Sequence, residues 1–237
     1  MKTKFTIILT MLAVVFGVQT IQAADENREV SAFSEITLRV PAKVHLEQGK
    51  KQSVEITAKE SVLEEIITEV KGRELVIRFS TKSALFKDFD SAKIEIYITV
   101  PEIGALSVSG SGDIINDGQI DTRILDVAVS GSGNVMLDDL KAERVKVTVS
   151  GSGDVKLAGS GKTADLNVAV SGSGNFRGID FPAEDVDVKM SGSGNVDVYA
   201  ENSLKVRAAG SGDVTYRGNP SIDQSILGSG KVFGYKK

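Results

Sequence analysis

The chain has 237 residues, with 28 basic and 32 acidic side chains for a net charge of −4, 24 glycines, and neither cysteine nor tryptophan. That length suits one large all-β unit or two small domains. The composition excludes disulfide stabilisation, and without a basic patch or many aromatic side chains it offers nucleic acid neither charge nor stacking.

Lys2 and Lys4 precede a nearly unbroken apolar run from Phe5 to Val18, followed by a cleavage region from Gln19 to Ala24. This is the pattern of a secretory signal peptide, residues 1–23, with cleavage expected after Ala23. The run is short for a membrane span of about 20 residues. No cysteine stands near the cleavage region, so no lipid anchor is expected, and nothing later in the chain is apolar enough to span a bilayer.

Residues 24–105 read as a β-rich section. Phe33, Ile36, Leu38 and Val40 suggest a strand ended by Pro41. Val44 and Leu46, then Val54 and Ile56, suggest a hairpin through Gln48-Gly49-Lys50. Glu60 to Ile66 predicts a helical turn or two with Ser61 as its cap. Ile67 to Val70 and Leu75 to Phe79 flank Lys71-Gly72-Arg73 as a second hairpin, and Ile94, Ile96, Ile98 and Val100 alternate up to Pro101. This section is expected to cap the C-terminal half of the chain, because an open β end invites pairing with other chains.

From residue 106 a pentapeptide recurs: Ser109-Gly110-Ser111-Gly112-Asp113, then equivalent blocks starting at Ser130, Ser150, Ser171 and Ser191. Ala209-Gly210-Ser211-Gly212-Asp213 and Leu227-Gly228-Ser229-Gly230-Lys231 are altered copies. The spacing of about 20 residues marks a stack of like units. Apolar residues alternate before each block, as in Val145, Val147 and Val149, and one comes directly after it, as in Val155. Period two is the mark of a half-buried strand. Carried through the block, that parity points Gly151 and Gly153 inward and Ser150, Ser152 and Asp154 outward, which makes the block a corner. An ordinary surface turn is the alternative. A coil this short cannot bury its apolar face alone, so coils must stack into one column. The expected fold is all-β: a right-handed parallel β-helix over residues 106–237, rising roughly 4.8 Å per coil.

Stacking puts like residues in ladders, and the polar stations form a ribbon along one edge. The candidate binding residues are Ser111, Asp113, Ser132, Asn134, Ser152, Asp154, Ser173, Asn175, Ser193, Asn195, Ser211 and Asp213. Neighbouring amides one coil apart can bond to each other. The polar connectors between coils, such as Asn116 to Arg123 and Asp138 to Arg144, offer the other accessible surface.

Other chemistry is poorly served. Gly159-Ser160-Gly161-Lys162-Thr163 resembles part of a P-loop, but Lys156 stands where the leading glycine belongs and a strand pattern comes next where a helix is needed. The Gly/Asp blocks have twice the period of calcium-binding toxin repeats, and about half their acids are Asn. His45, the one histidine, has no nucleophile motif beside it. A polysaccharide-cleaving pair made from Asp113 and Asp154, about 10 Å apart by strand spacing, is the better enzymatic reading. No cofactor and no metal are expected.

The lead-in Ile94 to Pro101, then Leu106-Ser107-Val108-Ser109-Gly110-Ser111-Gly112-Asp113 and further Ser-Gly-Ser-Gly-Asp/Asn coils, resembles the autotransporter-adhesin head family, the GIN domain family of exported Bacteroidetes-type proteins. The resemblance spans about residues 30–235. It implies a β-helical fold and a periplasmic, outer-membrane or secreted location, and it carries over no catalytic residues. The chain stops at Lys237 without room for a membrane barrel, so self-transport is not expected of this polypeptide. Function is expected to be non-enzymatic binding of a glycan or of an envelope or matrix protein through the coil edges. The alternatives are the carboxylate enzyme and a rod that stacks on further copies of itself.

Overall fold

The computed structural model describes residues 23–80 and 93–235; the expected signal peptide, residues 1–22 of it, lies outside the described residues. The strands are β1 (Ala23–Asn27), β2 (Glu35–Leu38), β3 (Lys43–Gln48), β4 (Ser53–Lys59), then the short helix α1 (Glu60–Leu63), β5 (Ile66–Lys71), β6 (Glu74–Phe79) and β7 (Glu95–Val100). The repeat continues with β8 (Ala105–Gly110), β9 (Asp113–Asn116), β10 (Ile120–Gly131), β11 (Asn134–Leu137), β12 (Leu140–Gly151), β13 (Val155–Ala158), β14 (Thr163–Gly172) and β15 (Phe176–Gly192). It ends with β16 (Val196–Gly210), β17 (Val214–Arg217), β18 (Ser221–Gly228) and β19 (Val232–Gly234).

These strands wind into a β-solenoid of about 6 coils, the parallel β-helix expected. One face stacks β8, β10, β12, β14, β15, β16 and β18 in parallel register. A second stacks β9, β11, β13, the start of β15, the start of β16, β17 and β19. A short third face runs through Ala142, Thr163, Ala183 and Ala200.

Alternation explains the core. Val127, Val147, Val168, Val188 and Val206 fill one inward station on successive coils, all of them buried. Each such side chain contributes about 1.5–3 kcal/mol by leaving water, and none could do so in a lone coil. Phe176 and Phe181 are the largest buried side chains, and they sit where β15 slips register against its neighbours. Thr163 is buried among the alanines of the third face, and its hydroxyl donates to the Ala142 carbonyl at 2.9 Å. The Gly159–Thr163 segment that resembled part of a P-loop is thus a corner between β13 and β14.

The column extends further towards the N-terminus than the pentapeptides mark. β2 and β3 pair in parallel with β8 and β9, and β6 and β7 pair in parallel with the opposite sides of β2 and β3. The rung built from β6 and β7 therefore lies beyond the one built from β2 and β3, although it comes later in the chain. Antiparallel strands close the outer edges: β5 on β6, β4 on β7, and β1 on β4. α1 joins β4 to β5 and buries Val62 and Leu63.

Two local expectations need correction. β3 and β4 do not form a hairpin, because β7 lies between them and pairs with both. Gln48-Gly49-Lys50 supplies a turn, but the chain passes over β7. Ser61 does not cap α1; Lys59 holds the N-cap position without a side-chain bond. The second hairpin, through Lys71-Gly72-Arg73, forms as expected, with Gly72 at φ 65°.

Candidate functional site

The seven Gly-Ser blocks occupy one station of the coil. Gly110, Gly131, Gly151, Gly172, Gly192, Gly210 and Gly228 pair successively from rung to rung. The first glycine of each block turns the corner at positive φ, 122° at Gly151, a region that glycine enters without penalty. The second glycine lies inside: Gly153 is buried, and a Cβ there would meet the Gly133 carbonyl and Val129. The inward corner and the positive-φ turn, alternatives on the sequence, are both present, divided between the two glycines.

Each corner is tied to the one before it. The N–H groups of Ser152 and Gly153 both donate to the Gly131 carbonyl, at 2.8 and 3.0 Å, and the pattern repeats on other coils. The Asp/Asn station adds a side-chain ladder. Asp113 Oδ1 accepts from the backbone N–H of Asn134 at 3.1 Å and from its Nδ2 at 2.7 Å. Asn134 Oδ1 accepts from the Asp154 N–H at 3.0 Å, and Asp154 Oδ1 accepts from the N–H and Nδ2 of Asn175. Asn175, Asn195 and Asp213 continue the chain to the N–H of Lys231. Asn next to Asp supplies a donor where two carboxylates would repel.

The site residues thus separate into two rows. Asp113, Asn134, Asp154, Asn175, Asn195 and Asp213 form the inner ladder and are mostly half-buried. Ser111, Ser132, Ser152, Ser173, Ser193 and Ser211 stand outside them and are all exposed. Only Ser211 among these shares a side-chain bond, accepting from Ser229 at 3.1 Å. Asp113 and Asp154 each engage one oxygen in the ladder, and Asp154 also pairs with Arg177 at 2.9 Å.

Two other surfaces lie away from the Gly-Ser blocks. An open groove of about 920 Å3 runs along the corner between the third and first faces, with Arg73, Glu102, Arg123, Asp126, Glu143 and Lys162 among its lining. The connectors Asn116 to Arg123 and Asp138 to Arg144 contribute to it, and charges of both signs alternate there. On the second face His45 is held between Asp117 at 3.1 Å and Glu95 at 3.0 Å, with its ring stacked on Tyr97 at 4.8 Å. It is a polar neighbour, as its isolation in the sequence suggested, although its partners lie 50 and 72 residues away.

Burial works to raise the Glu95 carboxyl, but bonds from His45 and Lys93 outweigh it and hold the group below the usual glutamate range. The stability it adds is full above the unfolded pKa and is lost as pH falls through the lowered folded pKa. Glu95→Gln is expected to flatten that part of the acid-unfolding curve, measured by circular dichroism at stepped pH. An unchanged curve would show that the pair carries no folding energy.

Among the described residues no helix is long and apolar enough to cross a membrane. Comparison with protein families matches residues 32–220 to the family described as "Putative auto-transporter adhesin, head GIN domain". Comparison with curated proteins gives no match. Among solved structures, the chain is similar to a "putative adhesin" from Bacteroides fragilis, with a TM-score of 0.81 and 25% identity over 90% of this chain and 97% of that one. It is also similar to a "putative lipid binding protein" from Parabacteroides distasonis, with a TM-score of 0.71 and 24% identity over 90% and 97%. A "putative adhesin" from Parabacteroides merdae gives a TM-score of 0.70 and 17% identity over 91% and 97%.

Proposed function

The chain belongs to the family of auto-transporter adhesin heads with the GIN domain, and on that premise we propose that it is an exported, non-enzymatic binding module of the bacterial cell envelope. In this reading residues 1–23 are a cleaved export signal, residues 24–105 close one end of the solenoid, and residues 106–237 present the binding edge. The ligand is a glycan or an envelope or matrix protein, contacted through the serine row.

The observation that carries this reading is the layering of the corner. The Asp/Asn ladder fixes the backbone beneath the serines from rung to rung. The hydroxyls of Ser111, Ser132, Ser152, Ser173 and Ser193 are exposed and make no side-chain bond among the described residues. A row of donors and acceptors at fixed spacing is already organised for a repeating polar ligand, which reduces the ordering cost of binding. The same ladder argues against the carboxylate enzyme: Asp113 and Asp154 are engaged as structural acceptors rather than poised across an open cleft.

A glycan array probed with the mature protein tests the reading, alongside a triple variant carrying Ser132→Ala, Ser152→Ala and Ser173→Ala. Because the three serines are exposed, the variant is expected to keep its melting temperature within a few degrees while losing at least tenfold in affinity. A variant that binds as the parent does would remove the serine row from the proposal.

A further inference from the structure

The two ends of the solenoid are built differently. At one end the antiparallel strands β1, β4 and β5 cover the edges of β6 and β7. At the other, β18 and β19 pair only inward, with β16 and β17, and among the described residues nothing covers their outer edges. Ile222, Leu227, Phe233 and Tyr235, all on this last rung, are four of the six exposed large hydrophobics among the described residues. An exposed edge with apolar side chains is a template for another strand.

The residues of this rung break the repeat. Gln224 occupies the station held by Val127, Val147, Val168, Val188 and Val206 on earlier coils. Lys231 receives the last bond of the Asp/Asn ladder through its N–H and has no side-chain acceptor to pass on. A further coil of the same kind would bury the Gln224 amide against valine with its hydrogen bonds unmade. A partner that brings its own amide to that point satisfies it.

We propose that β18 is a self-pairing edge through which two copies of the chain meet head to head, antiparallel, about a two-fold axis at Gln224. Antiparallel edge pairing keeps inward faces on the same side, so opposed residues must share parity. Centring on Gln224 sets Ile222 against the partner's Ile226 and Gln224 against the partner's Gln224, all on the inward face. The two amides can then donate to each other reciprocally. On the outer face Asp223 lies opposite the partner's Ser225, so no like charges meet, and Asp223 is already bound to Arg207 at 2.7 Å. A two-fold pairing of β18 on β18 uses up that edge in both copies, so association through it closes at the dimer instead of growing into a fibre. This pairing stands whether or not the serine row binds a ligand.

Light scattering on the mature protein tests it. The wild type is expected at twice the monomer mass. Gln224→Lys and Gln224→Glu each place like charges on the axis, and each is expected to be monomeric. Gln224 is exposed in the single chain, so both variants are expected to keep the parental circular dichroism spectrum and melt. Their equimolar mixture is expected to recover the doubled mass, which misfolded chains would not do. A wild type that stays monomeric at the highest concentration reached, a Gln224→Lys variant with the wild-type mass, or a mixture that stays monomeric would each overturn the proposal. The first outcome would leave the edge to a partner other than this chain.

Discussion

Gly153→Ala is expected to destabilise the protein by about 3 kcal/mol, at the upper end of the range for overpacking. A Cβ at Gly153 would come well within 3.0 Å of the Gly133 carbonyl oxygen and 2.7 Å from Val129 Cγ1. Neither can retreat easily. Gly133 is buried in the inner corner of its own coil, and Val129 is buried in the column. Gly153 does not have positive φ, so the effect would be steric alone. Gly72→Ala is the matched control: its φ of 65° is left-handed, yet an added Cβ would meet nothing within 4 Å. That substitution should cost about 1–2 kcal/mol, the usual left-handed penalty. Urea midpoints of the two variants, at equal m-value, measure the difference. Equal losses would show that the inner glycine is chosen for its backbone freedom and not for the close approach of coils.

Asn134→Ala is expected to cost about 2 kcal/mol, because it leaves the half-buried N–H of Asp154 without its side-chain acceptor and Asp113 Oδ1 without the Nδ2 donor. Asn134→Asp separates the two parts. It keeps an acceptor for Asp154 but loses the donor and brings a second carboxylate against Asp113, where the present contact is 2.7 Å. It is expected to be less stable than the parent, with a loss that shrinks as salt is added. Ser132→Ala, one row further out on the same coil, should change stability by no more than about 0.5 kcal/mol. Chemical denaturation of the three variants gives the ranking. Similar losses at Asn134 and Ser132 would contradict a structural ladder lying inside a free hydroxyl row.

The repeat was legible because each coil poses the same local problem. Alternation before the block, two glycines inside it and one apolar residue after it recur at a fixed interval, and only stacking buries those residues together. The division of the polar stations into an engaged inner row and a free outer row was not legible. It depends on which atoms of Asn134 and Asp154 reach the neighbouring coil, and parity alone does not give that. The N-terminal half was read less well for a different reason. Gln48-Gly49-Lys50 reports a turn but not the partner beyond it, and the strand that fills the gap, β7, lies about 50 residues later. Such an insertion of a later rung beside an earlier one leaves no local pattern. The pairing of His45 with Asp117 and Glu95 is hidden in the same way.

Successive Gly-Ser blocks lie directly over one another on parallel rungs, and both the ladder and the serine row depend on that placement. Since the chain has no cysteine, paired cysteine substitutions test it against an empty background. Ser130 and Ser150 are exposed and in register on adjacent coils, while Ser171 lies one coil further on. Adjacent parallel strands are about 4.8 Å apart, inside the Cα separation that a disulfide tolerates, and two coils are about 10 Å apart, outside it. Under mild oxidation Ser130→Cys with Ser150→Cys should close a disulfide in nearly every molecule, and Ser130→Cys with Ser171→Cys should leave both thiols titratable. Free thiols in the first pair, or a bond in the second, would contradict the stacked column.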